Sequence, residues 1–164
     1  DPKCAVAHHN LGILLQYGRK DVGGAEIAYR DAIAADPNCA QAHRGLAVVF
    51  KERKDVAGAE SALRAAIEAD PNCALAHCTM GNLLLDEHKD VAGAESAYRG
   101  AIAADPKFAD AHNNLGNLLL DERNDVAGAE SAYRDAIAAD PKFVLAHNNL
   151  EYLLNNMKNK GGYD

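Results

Sequence analysis

Apolar residues recur along this chain at spacings of three and four, in blocks separated by turn-forming residues. In the first block Ala7, Leu11, Gly12, Leu14 and Leu15 fall on one stripe of a helix, which is expected to be buried. Equivalent blocks predict first-type helices near 5–17, 40–52, 74–86, 109–121 and 144–157. After the first four of these come Asp21, Asp55, Asp90 and Asp125, each placed where a side-chain oxygen can cap the free N–H groups of a second helix. The second helices are expected near 22–35, 56–69, 91–104 and 126–139. Pro37, Pro71, Pro106 and Pro141 lie just past their ends, where a proline stops the hydrogen-bond ladder. At about 14 residues, each helix is ~21 Å long.

Asp-Pro begins the text at Asp1, Asp36, Asp70, Asp105 and Asp140, so successive spacings are 35, 34, 35 and 35 residues. A helical period of that length indicates stacked helix pairs, each packing on its neighbours, rather than one globular core. The repeats run over 1–35, 36–69, 70–104 and 105–139, and a C-terminal helix and tail occupy 140–164. The fold class is all-α: four complete helix pairs plus a final single helix. In that last helix Glu151 stands where a small residue would let a partner helix approach, and Asn155, Asn156 and Asn159 make it polar. A capping helix fits these residues; a sequence cut where another second helix would begin is the alternative. Residues 1–20 lack such a polar cover, so an exposed apolar face and end-to-end self-association are expected there. Gly24, Gly58, Gly93 and Gly128 fall in the first turn of the second helices, where Gly costs ~0.5–1 kcal/mol relative to Ala. Close backbone approach at the helix corner is one reason to keep them.

One repeat carries His112, Leu115-Gly116, Leu119, Ala129, Tyr133, Ala136 and Pro141, and another His43, Leu46-Ala47, Phe50, Ala59, Leu63, Ala66 and Pro71. Between Ala5 and Pro141 the chain resembles a tetratricopeptide repeat (TPR) array, whose signature places a bulky residue, Leu-Gly, an aromatic, Ala, an aromatic, Ala and Pro in that order. The resemblance implies a right-handed α-α superhelix with the first helices lining a concave groove. His8, His43, His77, His112 and His147 depart from it, standing where Trp or Tyr is usual, and imply thinner packing. Pentatricopeptide RNA binders share the period but have other signature residues and need a cationic channel. Sel1-like repeats have longer, Gly-richer loops.

Composition narrows the function. Aromatics make up 5% of the chain and Trp is absent, which suits thin cores of small side chains. The formal net charge is -7 with no basic block, so no nucleic-acid partner is expected. No apolar run approaches the ~20 residues that span a bilayer, so no membrane partner is expected either. Cys4, Cys39, Cys73 and Cys78 form no disulfide framework, which fits reduced thiols and a cytoplasmic location. No nucleophile–base constellation or phosphate-cradling loop is present, so the chain is expected to be no enzyme and to need no cofactor. Three pairs, Cys4 with His8, Cys39 with His43 and Cys73 with His77, have the four-residue spacing of helical metal ligands. Against a metal array, Phe108 and Phe143 replace the cysteine in later repeats, which marks an apolar plug. Glu26, Glu60, Glu95 and Glu130 precede Arg30, Arg64, Arg99 and Arg134 by four residues, a solubilising pair worth ~0.2–0.5 kcal/mol each.

The resemblance also implies which residues face the groove. They are Val6, His9, Asn10 and Ile13; Gln41, Arg44, Gly45 and Val48; Leu75, Cys78, Thr79 and Asn82; Asp110, Asn113, Asn114 and Asn117; and Leu145, Asn148, Asn149 and Tyr152. Asn10, Asn114 and Asn149 hold equivalent places, interrupted by Gly45 and Thr79. The phrase A-x-x-N-L-[AG] is similar to the asparagine ladder in the TPR region of O-linked N-acetylglucosamine transferases. An amide is both donor and acceptor, so such a column can pair with the backbone of an extended peptide; asparagine as a solvated filler is the plainer reading. The candidate peptide-binding set is Asn10, Ile13, Arg44, Val48, Thr79, Asn82, Asn113, Asn114, Asn117, Asn148, Asn149 and Tyr152. Clamps for chaperone C-termini need Lys, Asn and Arg at His9, Ile13, Gly45, Leu75 and Thr79, or one repeat on at Arg44, Val48, Thr79, Asp110 and Asn114, and neither set fits. The expected function is a non-enzymatic scaffold binding a protein or peptide, with self-assembly by end-to-end stacking as the alternative.

Overall fold

A computed structural model describes residues 4–160 of the chain; the expected tail after Lys160 lies outside the described residues. First-type helices are α1 (Ala5–Ile13), α3 (Ala40–Glu52), α5 (Ala74–Asp86), α7 (Ala109–Asp121) and α9 (Val144–Lys160). Second-type helices are α2 (Val22–Ala35), α4 (Val56–Ala69), α6 (Val91–Ala104) and α8 (Val126–Ala139). Each pair packs as a hairpin, each second helix packs on the next first helix, and α1 touches α3 as α3 touches α5. The first helices therefore form one layer and the second helices the other, in an all-α superhelical repeat fold.

Local chemistry sets these boundaries. The carboxylates of Asp21, Asp55, Asp90 and Asp125 accept the N–H of Gly24, Gly58, Gly93 and Gly128, each at 2.9 Å. The other carboxylate oxygen lies where a Cβ on that glycine would sit, which accounts for the glycines better than backbone approach does. Before each cap, Lys20, Lys54, Lys89 and Asn124 take a left-handed conformation with φ between 52° and 61°. At the other turn, His43, His77, His112 and His147 place Nε2 at 2.9–3.0 Å from the carbonyl of Pro37, Pro71, Pro106 and Pro141. Histidine thus does at this place what a plain aromatic spacer cannot: it closes the Asp-Pro turn.

Three expectations need correction. The first helix stops being α-helical at Ile13, and Leu14–Gly18 winds as a π-turn closed by Arg19 N–H on the Leu14 carbonyl at 3.1 Å. That widened turn carries Gln16 inward, where its amide is buried against Tyr29 and Glu52. The expected buried stripe of the first helix is also largely open: Ala7, Leu11 and Leu14 are exposed, and of the five only Gly12 is fully buried. The equivalents of Leu14, namely Val49, Leu83, Leu118 and Leu153, are at most 3% exposed. That face of each rod is covered by the preceding repeat, and no preceding repeat lies against α1 among the described residues. The last helix runs three residues beyond its expected end, to Lys160.

The core is correspondingly thin. Ala25, Ala42, Ala76, Ala94, Ala111 and Ala146 are 0% exposed and let helix axes approach closely. The bulk comes from Tyr29, Leu63, Tyr98 and Tyr133, one per second helix.

Candidate peptide-binding wall

A Cβ on Gly12, Gly81 or Gly116 would stand 2.5–2.6 Å from a ring carbon of Tyr29, Tyr98 or Tyr133. Each tyrosine therefore lies flat on the glycine of its own repeat and sends its hydroxyl across the first-helix layer. In the third and fourth repeats that hydroxyl donates to an asparagine sixteen residues earlier: Tyr98 to Asn82 Oδ1 and Tyr133 to Asn117 Oδ1, both at 2.8 Å. The next first helix then donates to the same oxygens. Asn114 Nδ2 reaches Asn82 Oδ1 at 3.2 Å and Cys78 Sγ at 3.5 Å. Asn149 Nδ2 reaches Asn117 Oδ1 at 3.1 Å and Asn113 Oδ1 at 2.9 Å. These are two copies of one junction, displaced by one repeat.

The expected site residues thus divide. Asn82, Asn113, Asn114, Asn117 and Asn149 are brought together, but as bonds between rods; Asn113 is only 4% exposed. Half of each amide remains. Asn82 and Asn117 keep an unbonded Nδ2, and Asn114 and Asn149 an unbonded Oδ1, among the described residues. Asn148 and Tyr152 stand exposed on the same layer. Thr79 turns away, its hydroxyl donating to the Leu75 carbonyl of its own helix at 2.7 Å. Asn10 is exposed, with no earlier rod among the described residues to receive its amide. Ile13 occupies the place of Asn82 and cannot take the Tyr29 hydroxyl, which donates to Gln16 Oε1 at 2.9 Å instead. Gln16 Nε2 passes the link on to Glu52 at 2.6 Å, so the first junction has a different bridge. Arg44 and Val48 are half-buried beside it.

Burial governs the electrostatics of this layer. It pushes the Tyr29 and Tyr133 hydroxyls up to about 12, raises Tyr98 as well, and lifts the Cys78 thiol to about 11. Nearby carboxylates add to it: Asp121 at Tyr133, Asp86 at Tyr98 and Asp110 at Cys78. Burial, then Arg44, lowers His9, whose Nε2 has no hydrogen-bond partner and whose ring lies 5.9 Å from that of Tyr29.

Tyr29, Tyr98, Tyr133 and Gln16 are the residues that sequence reasoning left out of the wall, while Cys78 was placed on the groove but not in the candidate peptide-binding set. A signal existed: Asn82 precedes Tyr98, and Asn117 precedes Tyr133, by the same sixteen residues, whereas Val48 accompanies Leu63. In two of the three suggested Cys–His metal pairs the histidine is otherwise engaged, the His43 and His77 rings meeting proline carbonyls. A further cavity of about 510 Å³ opens on the outer side, lined by Arg30, Ile33, His43, Leu46, Phe50 and Ser61 among others, and recurs one repeat pair later around Arg99, Ile102 and His112. It is the gap that alanine-rich second helices leave, and the amide rows do not reach it.

Comparisons with known proteins agree with this architecture. The tetratricopeptide repeat family model matches residues 10–73 and 78–142. No curated protein matches the chain in sequence. Among solved structures, a Pseudomonas aeruginosa chain described as "Functional Characterization of Pseudomonas Aeruginosa pilF" superposes with a TM-score of 0.83 at 24% identity, covering 94% of this chain and 69% of that one. A Thermobaculum terrenum O-GlcNAc transferase mutant superposes at 0.70 and 22% identity, over 82% of this chain and 26% of that one. The first TPR of Spaghetti (RPAP3), bound to the HSP90 peptide SRMEEVD, superposes at 0.64 and 17% identity, over 73% and 93%. Likenesses at this identity speak for the fold alone, while the family match covers most of the chain. The chain belongs to the tetratricopeptide repeat family, whose members are generally non-catalytic scaffolds for protein–protein interaction.

Proposed function

We propose that the first-helix layer receives an extended segment of a protein partner. The observation that carries this is the half-spent amide. Each of the two C-terminal junctions offers one unbonded NH2 (Asn82 or Asn117) and one unbonded carbonyl oxygen (Asn114 or Asn149), a donor and an acceptor on two amides whose other halves are joined by a hydrogen bond of 3.1–3.2 Å that also holds the rods. A peptide group presents the complementary pair, and an extended strand presents them repeatedly. Because both amides are pre-set, the wall loses little freedom on binding and the partner bears most of the ordering cost.

Asn114 and Asn149 are poor places to test this, since their loss breaks the junction too. Asn82→Asp with Asn117→Asp is cleaner: both acceptor oxygens stay, while each spare NH2 becomes a carboxylate oxygen and a negative charge is added, which is why the peptides tested are uncharged. The double variant is expected to keep the parent melting temperature and to bind uncharged extended peptides roughly tenfold more weakly in fluorescence anisotropy, two neutral hydrogen bonds being lost. Unchanged affinity with an intact fold rules the reading out.

A second reading has one observation in its favour. Leu11 and Leu14 are 45% and 53% exposed on the first rod, where their equivalents Leu46, Met80, Val49 and Leu83 are buried on later rods, and Val6 and Tyr17 are exposed beside them. Such a patch suits association between copies of the chain.

A further inference from the structure

We propose that the segment taken by this wall is basic at one step: two adjacent Lys or Arg residues, one reaching Asp110 and the other Asp121, with apolar side chains towards the first repeats. This rests on the peptide reading above and adds the partner's chemistry to it.

Asp110, Asn114, Asn117 and Asp121 follow one another at four, three and four residues along α7, which puts them on a single helix face. The two carboxylates lie about 16 Å apart along the axis, eleven residues at 1.5 Å each, with the amides between them. A strand crossing the rods over those amides has them to either side. Neighbouring residues of an extended strand project in opposite directions, so an adjacent pair of long cationic side chains addresses both.

The two acids are also unspent. Neither Asp110 nor Asp121 makes an ion pair or side-chain hydrogen bond among the described residues, and both are exposed. The acids at the place of Asp121 in earlier repeats are engaged, Glu52 accepting from Gln16 and Asp86 pairing with Lys51 at 2.9 Å, while the place of Asp110 holds Gln41 and Leu75 there. Arginines that could have neutralised the fourth repeat are held on the outer layer, Arg99 and Arg123 by Glu95 and Arg134 by Glu130. The field of both acids reaches the wall, since each adds to the upward shift of a buried neighbour, Asp110 at Cys78 and Asp121 at Tyr133. Towards the other end the wall turns apolar, with Val6, Ile13, Tyr17 and Leu75 exposed, and Arg44 is the cation there. An acidic partner meets repulsion at the fourth repeat, and a basic one meets two carboxylates without a competitor.

The test uses labelled peptides with an apolar half joined to Lys-Lys, and counterparts carrying Gln-Gln, Glu-Glu or Lys-Ser-Lys, in both chain directions, measured by anisotropy at low and moderate salt. Lys-Lys is expected to bind roughly tenfold tighter than Gln-Gln at low salt and to lose most of that margin on adding salt. Lys-Ser-Lys, whose cations fall on one side, is expected to gain about half as much on the logarithmic scale. Asp110→Asn with Asp121→Asn should erase the Lys-Lys margin and leave Gln-Gln binding as it was; Asp110→Lys with Asp121→Lys should favour Glu-Glu. Equal binding of Lys-Lys and Gln-Gln to the parent protein overturns the proposal and leaves the peptide reading standing. Failure of every peptide, whatever its charge, overturns both.

Discussion

A buried tyrosine ring needs a bare backbone opposite it, and this chain provides one for each tyrosine on a second helix. Gly12 faces Tyr29, Gly81 faces Tyr98 and Gly116 faces Tyr133; where the second helix carries Leu63 instead, the first carries Ala47. The pairing follows from volume in a close-packed interior. Leu63→Tyr alone is therefore expected to cost about 1–3 kcal/mol through overpacking. Combined with Ala47→Gly it should recover most of that loss, and urea denaturation of the two variants checks the coupling. Additive losses would mean that the ring and the methyl do not meet. These pairs were visible in the sequence as covarying columns, but their reason was not. The same holds for Gly24, Gly58, Gly93 and Gly128, whose cause is the second oxygen of an aspartate side chain. A side-chain conformation leaves no trace in a spacing.

The helices themselves were legible because their limits are local. Aspartate caps and prolines act within a turn of where they stand, so the expected second-helix boundaries match α2, α4, α6 and α8 residue for residue. What was not legible depends on neighbours: the π-turn that buries Gln16, the open face of α1, and which half of each wall amide is used. The buried hydroxyls and thiol between rods give the array an alkaline weakness. Their protons are held more tightly in the folded state than in the unfolded chain, where Cys and Tyr have their ordinary values of about 9 and 10. The stabilisation is whole below those values and disappears as pH climbs towards about 11 for Cys78 and about 12 for Tyr29 and Tyr133. Thermal melting followed from pH 8 upwards should thus show a falling midpoint from about pH 9. Cys78→Ala should flatten its first part, and a level profile to pH 11 would contradict the burial of these groups. Asn149→Ala should lower stability by about 1–3 kcal/mol through two lost bonds, whereas Asn148→Ala, on an exposed neighbour, should not. A midpoint shared by the two variants would remove the junction from the account.

Across the whole molecule, the same bonds decide how one repeat is held to the next. Glu26, Glu60 and Glu95 each serve two repeats, pairing with Arg30, Arg64 and Arg99 on their own helix and with Arg53, His88 and Arg123 in the turn of the following one. Between the second and third repeats no amide crosses, and the polar links are exposed, Lys51 to Asp86 and His88 to Glu60. Packing of Ala47, Leu63, Met80 and Leu83 carries that junction. If the open face of α1 brings copies together, scattering mass should rise with concentration, and Leu14→Glu should return it to that of a single chain. A mass that stays constant up to high concentration would leave α1 without that role.

The bond of Asn149 on Asn117 repeats that of Asn114 on Asn82, thirty-two positions apart in each case, with Asn113 taking the place of Cys78 as second acceptor. A gene that copied the segment 105–139 in tandem would therefore produce a chain whose newcomer docks with no new contact to invent. Reach along a partner could grow by duplication alone, one rung at a time, while the chemistry of each rung is inherited unchanged.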